Sequence, residues 1–315
     1  MEATTATQQV AAEAPPPKKG KLSERARAER RLAYMLCAPA LIAMLIVTGY
    51  PIGYAIYLSL QKYDLRFPDD KEFVGLSNYT DVLTSSTWWS DVGTTALITL
   101  ASVSIELVLG MAIALVMHHA IFGRGPVRAA ILIPYGIVTV VAAFAWRYAF
   151  DPTSGFLQAT FLLGDDAAPL TERGGSLVVI VLTEVWKTTP FMALLLLAGL
   201  SLVPDELHEA AKVDGASTVQ RFVRITLPLM KPAILVALLF RTLDAFRVFD
   251  SAFILTGGAN GTETVSILGY NILINRVNLG LGSAVSVLIF IAVILIATFF
   301  VKALGTSTAQ QRGEV

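Results

Sequence analysis

Four charged side chains recur inside an otherwise apolar segment, residues 229–255. They are spaced three residues apart with alternating sign, as Arg241, Asp244, Arg247 and Asp250. If the segment is helical, adjacent members of the series are neighbours on its surface. Charges inside a membrane are costly and are functional candidates by default. Two interpretations follow: an ion-paired seam that holds this helix against another subunit, or a cavity wall that hydrogen-bonds a polyhydroxylated ligand.

A second polar and aromatic group lies at 184–191. Trp186 is a candidate either for stacking on the C–H face of a sugar ring or for an aromatic belt beside a proline kink. Glu184 and Lys187 are three residues apart and could pair with each other. Glu106 stands alone in a different apolar segment and needs a partner on another helix. We expect Glu106 to stabilise the fold rather than to contact a ligand.

The sequence lacks the motifs of ATP binding and of common hydrolytic chemistry. It contains no G-x-x-x-x-G-K-[ST], H-E-x-x-H or G-x-S-x-G pattern. Its one cysteine, Cys37, excludes an internal disulfide, and His118, His119 and His208 do not have the spacing of a metal site. We therefore expect neither enzymatic activity nor a metal or other cofactor in this chain. The zero net charge gives no reason to expect nucleic-acid binding.

The composition is that of a membrane protein. The chain has 315 residues, of which 55% are hydrophobic and 15% charged, and its mean hydropathy is +0.64. Soluble domains carry about 25% charged residues. Because a membrane helix needs roughly 20 apolar residues, the predicted fold class is an all-α polytopic membrane protein with six spans. The predicted spans cover residues 32–60, 93–117, 129–150, 176–203, 229–255 and 283–301.

Basic residues predict which side of the membrane the termini face. Six spans, in a transmembrane domain at 32–302, place both termini on one side. The predicted tails are a disordered, basic one at 1–31 and a short one at 303–315. Segments on that side carry fifteen Lys and Arg residues, whereas the opposite loops carry five. By the positive-inside rule, both termini and the connection between spans four and five are cytoplasmic.

That connection contains a polar stretch at 204–231 whose residues have a distinctive spacing: Glu209-Ala210-Ala211, Gly215, Ile225 and Leu227-Pro228. We predict two short helices around a turn, with Gly215 in the left-handed conformation between them. Asp205 and Ser217 are the expected N-caps of the first and second helix. The composition of this stretch by itself favours a solvent-exposed connection between two membrane spans. The spacing of all the residues named above favours a loop with a function of its own.

This spacing is typical of the EAA loop of ABC-importer permeases. The sequence resembles the sugar-importer branch of that family, which includes the maltose and glycerol-phosphate permeases. Asp214-Gly215-Ala216 and the F-x-G-L-x-N-Y pattern at 73–79 fit that branch, and the latter is also similar to trehalose-uptake permeases. The resemblance implies the six-helix type I importer permease fold. It also implies a coupling loop, 204–228, that docks into a separate ATPase subunit through Glu209, Ala210, Ala211, Asp214, Gly215, Phe222, Ile225, Leu227 and Pro228.

The resemblance further implies a substrate site within the membrane. Substrate-contacting positions of the family correspond to Asp244 and Arg247 in span five. In span four they correspond to Trp186, Lys187, Thr188 and Phe191. We add Arg241, from the same charged series, and Tyr135, a candidate for lining the same cavity.

The expected function is that of a permease subunit that imports a sugar, such as the disaccharide trehalose or maltose, by alternating access. The implied partners are a second, homologous permease, a pair of ATPase subunits that hold ATP and Mg, and an extracytoplasmic sugar-binding protein. The implied location is the lipid bilayer of the bacterial cytoplasmic membrane. Two alternatives are an ion-coupled secondary transporter that uses the span-five charges and a purely structural membrane scaffold. Neither explains the spacing of the EAA stretch.

Overall fold

The structure, a computed structural model, describes residues 24–119, 124–151, 153, 155–156 and 168–311. The chain divides into two compact units, Met1–Tyr54 and Ala55–Val315. A small antiparallel sheet pairs β1 (Gln61–Lys62) with β2 (Glu72–Phe73). Helical π turns cover Leu45–Gly49, Phe222–Thr226 and Asn271–Asn275. The α-helices are α1 (Glu24–Met44), α2 (Tyr50–Ser59), α3 (Ser77–Thr84), α4 (Ser86–His119), α5 (Arg124–Gly136), α6 (Thr139–Ala149), α7 (Arg173–Leu200), α8 (Asp205–Val213), α9 (Thr218–Arg221), α10 (Leu227–Ala245), α11 (Asp250–Thr256), α12 (Val265–Tyr270) and α13 (Leu279–Gln311).

Five helical stretches of the described residues are long and apolar enough to cross a membrane. A bent pair, Arg128–Gly136 and Thr139–Ala149, meets at 88° and makes a sixth if it is counted as one span. The predicted all-α polytopic class with six spans is thereby confirmed. The five unbroken stretches are Arg31–Ser59, Ser86–His118, Arg173–Leu200, Thr218–Ala245 and Leu279–Leu304.

The predicted tails fall partly outside the described residues. Of the tail predicted at 1–31, the structure describes 24–31, which belongs to α1. Of the tail predicted at 303–315, the residues as far as Gln311 continue α13 as a helix. The division of the chain into a transmembrane domain and two tails stays a prediction.

The span predicted at 129–150 is formed by two helices that meet at a sharp bend. Pro134 lies in the last turn of α5, which ends at Gly136. Val138 then takes an extended ψ of 131° before α6 begins at Thr139. Proline lacks an amide donor and glycine is a poor helix former, so the two residues together favour a break at this point.

The prediction of span five as one continuous helix is wrong. α10 ends at Ala245, and α11 begins only at Asp250. Arg247 lies in the break, so the charged series does not form a continuous strip on one helix. The carbonyl of Val248 at the break accepts a 3.1 Å hydrogen bond from Thr264 Oγ1. A carbonyl that no helix satisfies needs such a partner where water is absent.

The connections between spans one and two and between spans five and six contain helices. Residues 61–92 hold the small sheet, α3 and the start of α4, which begins at Ser86 rather than at 93. The last connection contains α12, which Thr264 caps by accepting a hydrogen bond from the amide of Ile267. The amide of Val265 donates a 3.0 Å bond to Thr95 Oγ1 of α4. These contacts with the membrane spans stabilise helical structure in both connections.

Small residues allow the central helices to pack closely. A Cβ added at Gly110 in α4 would lie 2.8 Å from Cγ of Met192 in α7, and one added at Gly199 in α7 would collide with Cβ of Ala233 in α10. Small residues at helix contacts are typical of membrane proteins. Met192 and Met230 are completely buried in the resulting core. α4, α7 and α10 thus form the packed centre that holds the polar groups described next.

Candidate functional site

A polar cavity of about 430 Å³ lies between the two broken helices and α7. Tyr135 and Thr139 line it from the two sides of the α5–α6 break. Residues 247–251 line it from the α10–α11 break. α7 contributes Glu184, Lys187 and Thr188, and α10 contributes Asp244. The two helix breaks thus bring side chains from five helices, α5, α6, α7, α10 and α11, to one site.

Five of the eight predicted substrate residues line this cavity, namely Tyr135, Lys187, Thr188, Asp244 and Arg247. The other three, Arg241, Trp186 and Phe191, are not among its lining residues. The structure therefore brings together most of the predicted set although the single helix expected for span five is broken. Contact of these residues with a substrate stays a prediction.

Arg241 lies behind the cavity wall and is bonded to three carboxylates. Its side chain is 1% exposed. Its Nε and Nη2 donate to the two carboxylate oxygens of Glu106, at 2.5 and 2.9 Å. Nη2 also donates to Glu184 Oε2, and Nη1 donates to Asp244 Oδ2, each at 2.9 Å. The planar guanidinium suits several simultaneous bonds of this kind. Glu106 thus has the partner on another helix that its isolation in the sequence required.

Glu184 connects the two halves of the broken span. Its Oε2 accepts from Arg241 near the end of α10, and its Oε1 accepts a 2.6 Å bond from Ser251 Oγ in the first turn of α11. Thr188 Oγ1 donates to Glu106 Oε1 at 2.8 Å. Pairing of Glu184 with Lys187 is not realised, because the described ion pair of Glu184 is with Arg241. A guanidinium on another helix bonds this carboxylate together with two others.

Aromatic rings support one side of the cavity. Lys187 Nζ lies 5.6 Å from the centroid of the Tyr135 ring, within the distance of a cation–π interaction. Phe191 stacks on the same tyrosine with ring centroids 5.3 Å apart. Trp186 is 39% exposed and meets Trp146 edge-on at 6.0 Å. Phe191 therefore supports a lining residue, and Trp186 lies beside another aromatic ring outside the cavity lining.

Four polar lining residues were missing from the predicted substrate set: Thr139, Glu184, Asp250 and Ser251. Glu184 and Asp250 carry a signal in the sequence, because both are charged residues in apolar segments. Thr139 and Ser251 carry none, since single hydroxyl residues are common in membrane helices. The fold alone brings these two hydroxyl groups to the cavity.

The cavity carries more carboxylates than cations. Its described ionisable lining residues are Glu184, Asp244, Asp250, Lys187 and Arg247. Counted as formal charges, these five residues leave one net negative charge, and the Arg241–Glu106 pair behind the wall adds none. Like charges repel more strongly where little water screens them, so an anionic ligand is disfavoured. The mixture of donors and acceptors suits the hydroxyl groups of a neutral ligand.

The predicted coupling loop folds as two short helices around a glycine turn. Gly215 has a φ of 77°, the left-handed conformation that was predicted. Ser217 caps α9 through a capping box with Gln220, also as predicted. The prediction for α8 is wrong in detail, because its N-cap is Pro204. Asp205 lies in the first turn instead, where its charge still complements the helix dipole.

The coupling loop has an exposed side and an anchored side. Its exposed predicted residues are Glu209, Ala210, Asp214, Gly215 and Pro228. Ala211 and Ile225 are half-buried, and Phe222 and Leu227 pack against the core that includes Met192 and Met230. From Thr218 to Ala245 the chain is helical for 28 residues, a length of about 42 Å at 1.5 Å per residue. One helical rod therefore connects the coupling loop to Asp244 at the cavity.

The region that contains both the cavity and the coupling loop matches a known family. Residues 87–310 match the binding-protein-dependent transport system inner membrane component. The chain belongs to this family. It is thus a permease, a translocation component rather than an enzyme, and a membrane protein, as the sequence predicted.

Characterised relatives confirm the resemblance to sugar-importer permeases. The trehalose transport system permease protein SugA of Mycobacterium tuberculosis is 58% identical over 89% of this permease and 91% of its own length. The trehalose/maltose transport system permease protein MalF of Thermococcus litoralis is 40% identical over 87% and 94%. The sn-glycerol-3-phosphate transport system permease protein UgpA of Agrobacterium fabrum is 30% identical over 85% and 92%.

A solved structure confirms the fold. This permease superposes with a TM-score of 0.74 on a chain of a bacterial ABC transporter involved in the import of the acidic polysaccharide alginate. The match covers 90% of this permease and 98% of that chain, at 21% sequence identity. At that identity the likeness shows the fold alone. The expected type I importer permease fold is therefore confirmed.

We expect Arg241→Met to destabilise the permease strongly, because Glu106 and Glu184 would keep buried charges without their cation. Removing one partner of a buried ion pair costs about 3–5 kcal/mol. The thermal unfolding midpoint of the purified protein in detergent measures the effect. Arg247→Met is the matched control, because Arg247 is exposed and its Nε donates to the backbone carbonyl of Leu243. Equal midpoints for the two variants would contradict a stabilising role of the buried cluster.

Proposed function

We propose that this permease moves a neutral disaccharide of the trehalose and maltose type across the membrane, as a subunit of an ATP-driven importer. The observation that carries the proposal is the cavity, where hydroxyl, amino and carboxylate groups converge in about 430 Å³. Small-molecule sites have volumes of roughly 300–1,000 Å³. The permeases that are 58% and 40% identical are named for trehalose and for trehalose/maltose.

The charge of the cavity supports a neutral rather than an anionic sugar. The described lining has three carboxylates and two cations. Hydroxyl groups both donate and accept hydrogen bonds, so a sugar can satisfy both kinds of lining group. Tyr135 and Phe249 supply apolar ring surface in the same cavity, which suits the C–H faces of a saccharide.

A separate pair of ATPase subunits supplies the energy in this proposal. The sequence has no phosphate-binding loop, so ATP and its Mg are assigned to those subunits. The exposed side of the coupling loop offers a docking surface, on which Glu209 and Asp214 lie beside Val213, a hydrophobic residue that is 89% exposed. An apolar side chain so exposed among polar neighbours suits a protein contact.

Two further protein partners complete the proposed importer. One is an extracytoplasmic sugar-binding protein, which fits the family's binding-protein-dependent character. A solved relative of the same fold is the alginate ABC transporter in complex with a periplasmic protein bound to alginate pentasaccharide. The other is a second, homologous permease. The Asp244 side chain is 65% exposed in this chain alone, which supports a second subunit that closes the cavity.

The excess of basic residues supports an orientation in the bacterial cytoplasmic membrane with both termini and the coupling loop in the cytoplasm. In the proposed cycle, ATP binding closes the ATPase pair and displaces the coupling loop. The helix from Thr218 to Ala245 carries that displacement to the cavity. The cavity then opens outward to accept the sugar, and hydrolysis returns it to the inward state. The ion-coupled alternative is not supported, because the chain belongs to a binding-protein-dependent family.

Competition for uptake tests the substrate class. In a strain that lacks the native gene and expresses this permease with its transport partners, unlabelled trehalose or maltose should suppress uptake of labelled trehalose. Trehalose 6-phosphate should compete far less, because its phosphate would meet the carboxylates of the cavity. Suppression by the phosphorylated sugar, with none by the neutral disaccharides, would refute a site for neutral sugars.

Asp244→Ala should lower sugar uptake by about tenfold, because the cavity loses a charged hydrogen-bond acceptor. Basal ATPase activity and assembly of the transporter should persist. The measurement is uptake into proteoliposomes that contain the purified complex and its binding protein. Asp81→Ala is the matched control, since Asp81 is exposed on α3 and does not line the cavity. Loss of assembly in Asp244→Ala would instead favour the ion-paired seam between subunits.

Gly215→Trp should uncouple transport from ATP hydrolysis without preventing membrane insertion. The φ of 77° is strained for any residue with a Cβ, and the bulky ring would also cover the docking surface. Gly215→Asn is the control, because asparagine tolerates the left-handed conformation better than other residues with side chains. Sugar-stimulated ATPase activity and uptake should both be lost in Gly215→Trp and largely retained in Gly215→Asn. Normal uptake in vesicles that carry Gly215→Trp would disprove the coupling role.

A further inference from the structure

Four buried side chains, which we name the buried clamp, form hydrogen bonds around the break between α10 and α11: Glu106, Arg241, Glu184 and Ser251. Glu184 and Ser251 also line the cavity, whereas Glu106 and Arg241 do not. Glu106 is fully buried, Arg241 and Ser251 are each 1% exposed, and Glu184 is 7% exposed. They come from α4, α10, α7 and α11. Together they form one connected chain of hydrogen bonds across the centre of the permease.

We propose that the buried clamp sets the angle between α10 and α11 and so positions the cavity residues on both sides of the break. Arg241 and Glu106 act through Asp244 and Glu184 and are positioning residues rather than sugar contacts. This inference rests on the proposed function only in treating the cavity as a sugar site. It adds to that function the side chains that keep the cavity residues in position.

The bonds of Glu184 reach both helices at once. One carboxylate oxygen accepts from Arg241 on α10 at 2.9 Å, and the other accepts from Ser251 on α11 at 2.6 Å. A change in the angle between the two helices has to lengthen at least one of these bonds. Because hydrogen bonds to charged groups are stronger than neutral ones, the arrangement resists such a change.

The backbone at the break offers little resistance of its own. Between Ala245 and Asp250 the chain makes turn bonds, from the amide of Arg247 to Asp244 O at 3.2 Å and from the amide of Val248 to Ala245 O at 3.1 Å. These bonds lie on the α10 side and do not connect α10 to α11. Side-chain contacts therefore fix the relative orientation of the two helices, and the buried clamp supplies the contacts that link a residue of α10 to a residue of α11 through one carboxylate.

The identity of Arg241 fits this positioning role. Its guanidinium bonds Glu106, Glu184 and Asp244 from three nitrogen atoms in one plane. A lysine would keep the charge but present it from a single nitrogen, which cannot reproduce that geometry. Arg241→Lys therefore tests geometry apart from charge. Because Arg241 does not line the cavity, an effect of this variant on the site is not a lost sugar contact.

Hydrogen–deuterium exchange in the full transporter complex, held in nanodiscs without sugar, tests the proposal. The readout is the exchange rate of the peptide that covers residues 246–253. Ser251→Ala and Arg241→Lys should each raise it roughly three- to tenfold, because each removes charged hydrogen bonds that hold the break. Ser286→Ala is the matched control, since the Ser286 hydroxyl bonds the Gly282 carbonyl within α13, away from the cavity.

The second readout is uptake of labelled trehalose at saturating binding protein, with basal ATPase activity as reference. Faster local exchange with reduced uptake and retained ATPase activity is the expected result. Exchange in Ser251→Ala no faster than in Ser286→Ala would overturn the proposal. An increase spread evenly over all helices would also overturn it, because that reports loss of global stability. If the wild-type complex showed no sugar uptake, the proposed function would be refuted. The exchange measurement would still show whether the buried clamp fixes the angle between α10 and α11.

Discussion

The interaction on which the rest of this permease depends is the pairing of one buried guanidinium with three carboxylates. Arg241 carries the only cation among these four groups, and it contacts Glu106 and Glu184 in the packed centre and Asp244 at the cavity. Burying charge is expensive, and the cost is offset only where geometry and hydrogen bonding are good. That condition holds here because three helices approach closely through small residues. The packing of α4, α7 and α10 and the charge cluster therefore require each other.

The cavity exists because two helices break beside it. A continuous helix would point its side chains around its whole circumference, whereas each break turns a short segment towards the same space. At one break the sequence supplies Pro134 and Gly136, which weaken the helix locally. At the other, Thr264 satisfies the Val248 carbonyl and Glu184 holds the following helix through its serine. One break thus has a local cause, and the other depends on partners elsewhere in the chain.

A continuous helical segment connects the coupling loop to the cavity. Gly215 and the cap at Ser217 define the turn locally, while Phe222 and Leu227 anchor the following helix in the core. That helix continues to Ala245, next to the break. A force applied to the exposed loop therefore reaches the cavity along a rod rather than through a flexible chain.

The sequence by itself determined the membrane class, the turn of the coupling loop and five of the eleven residues that line the cavity. The membrane class follows from the length of the apolar segments. The turn follows from the conformational freedom of Gly215. The charged cavity residues could be found because charges are rare in membrane segments unless they have a function. The tertiary structure decided where span five ends and which acids Arg241 binds. Spacing of three residues identifies neighbours within a helix, and it correctly paired Arg241 with Asp244. Glu106 is 135 residues away in sequence, so only the packing of separate helices could make it a partner.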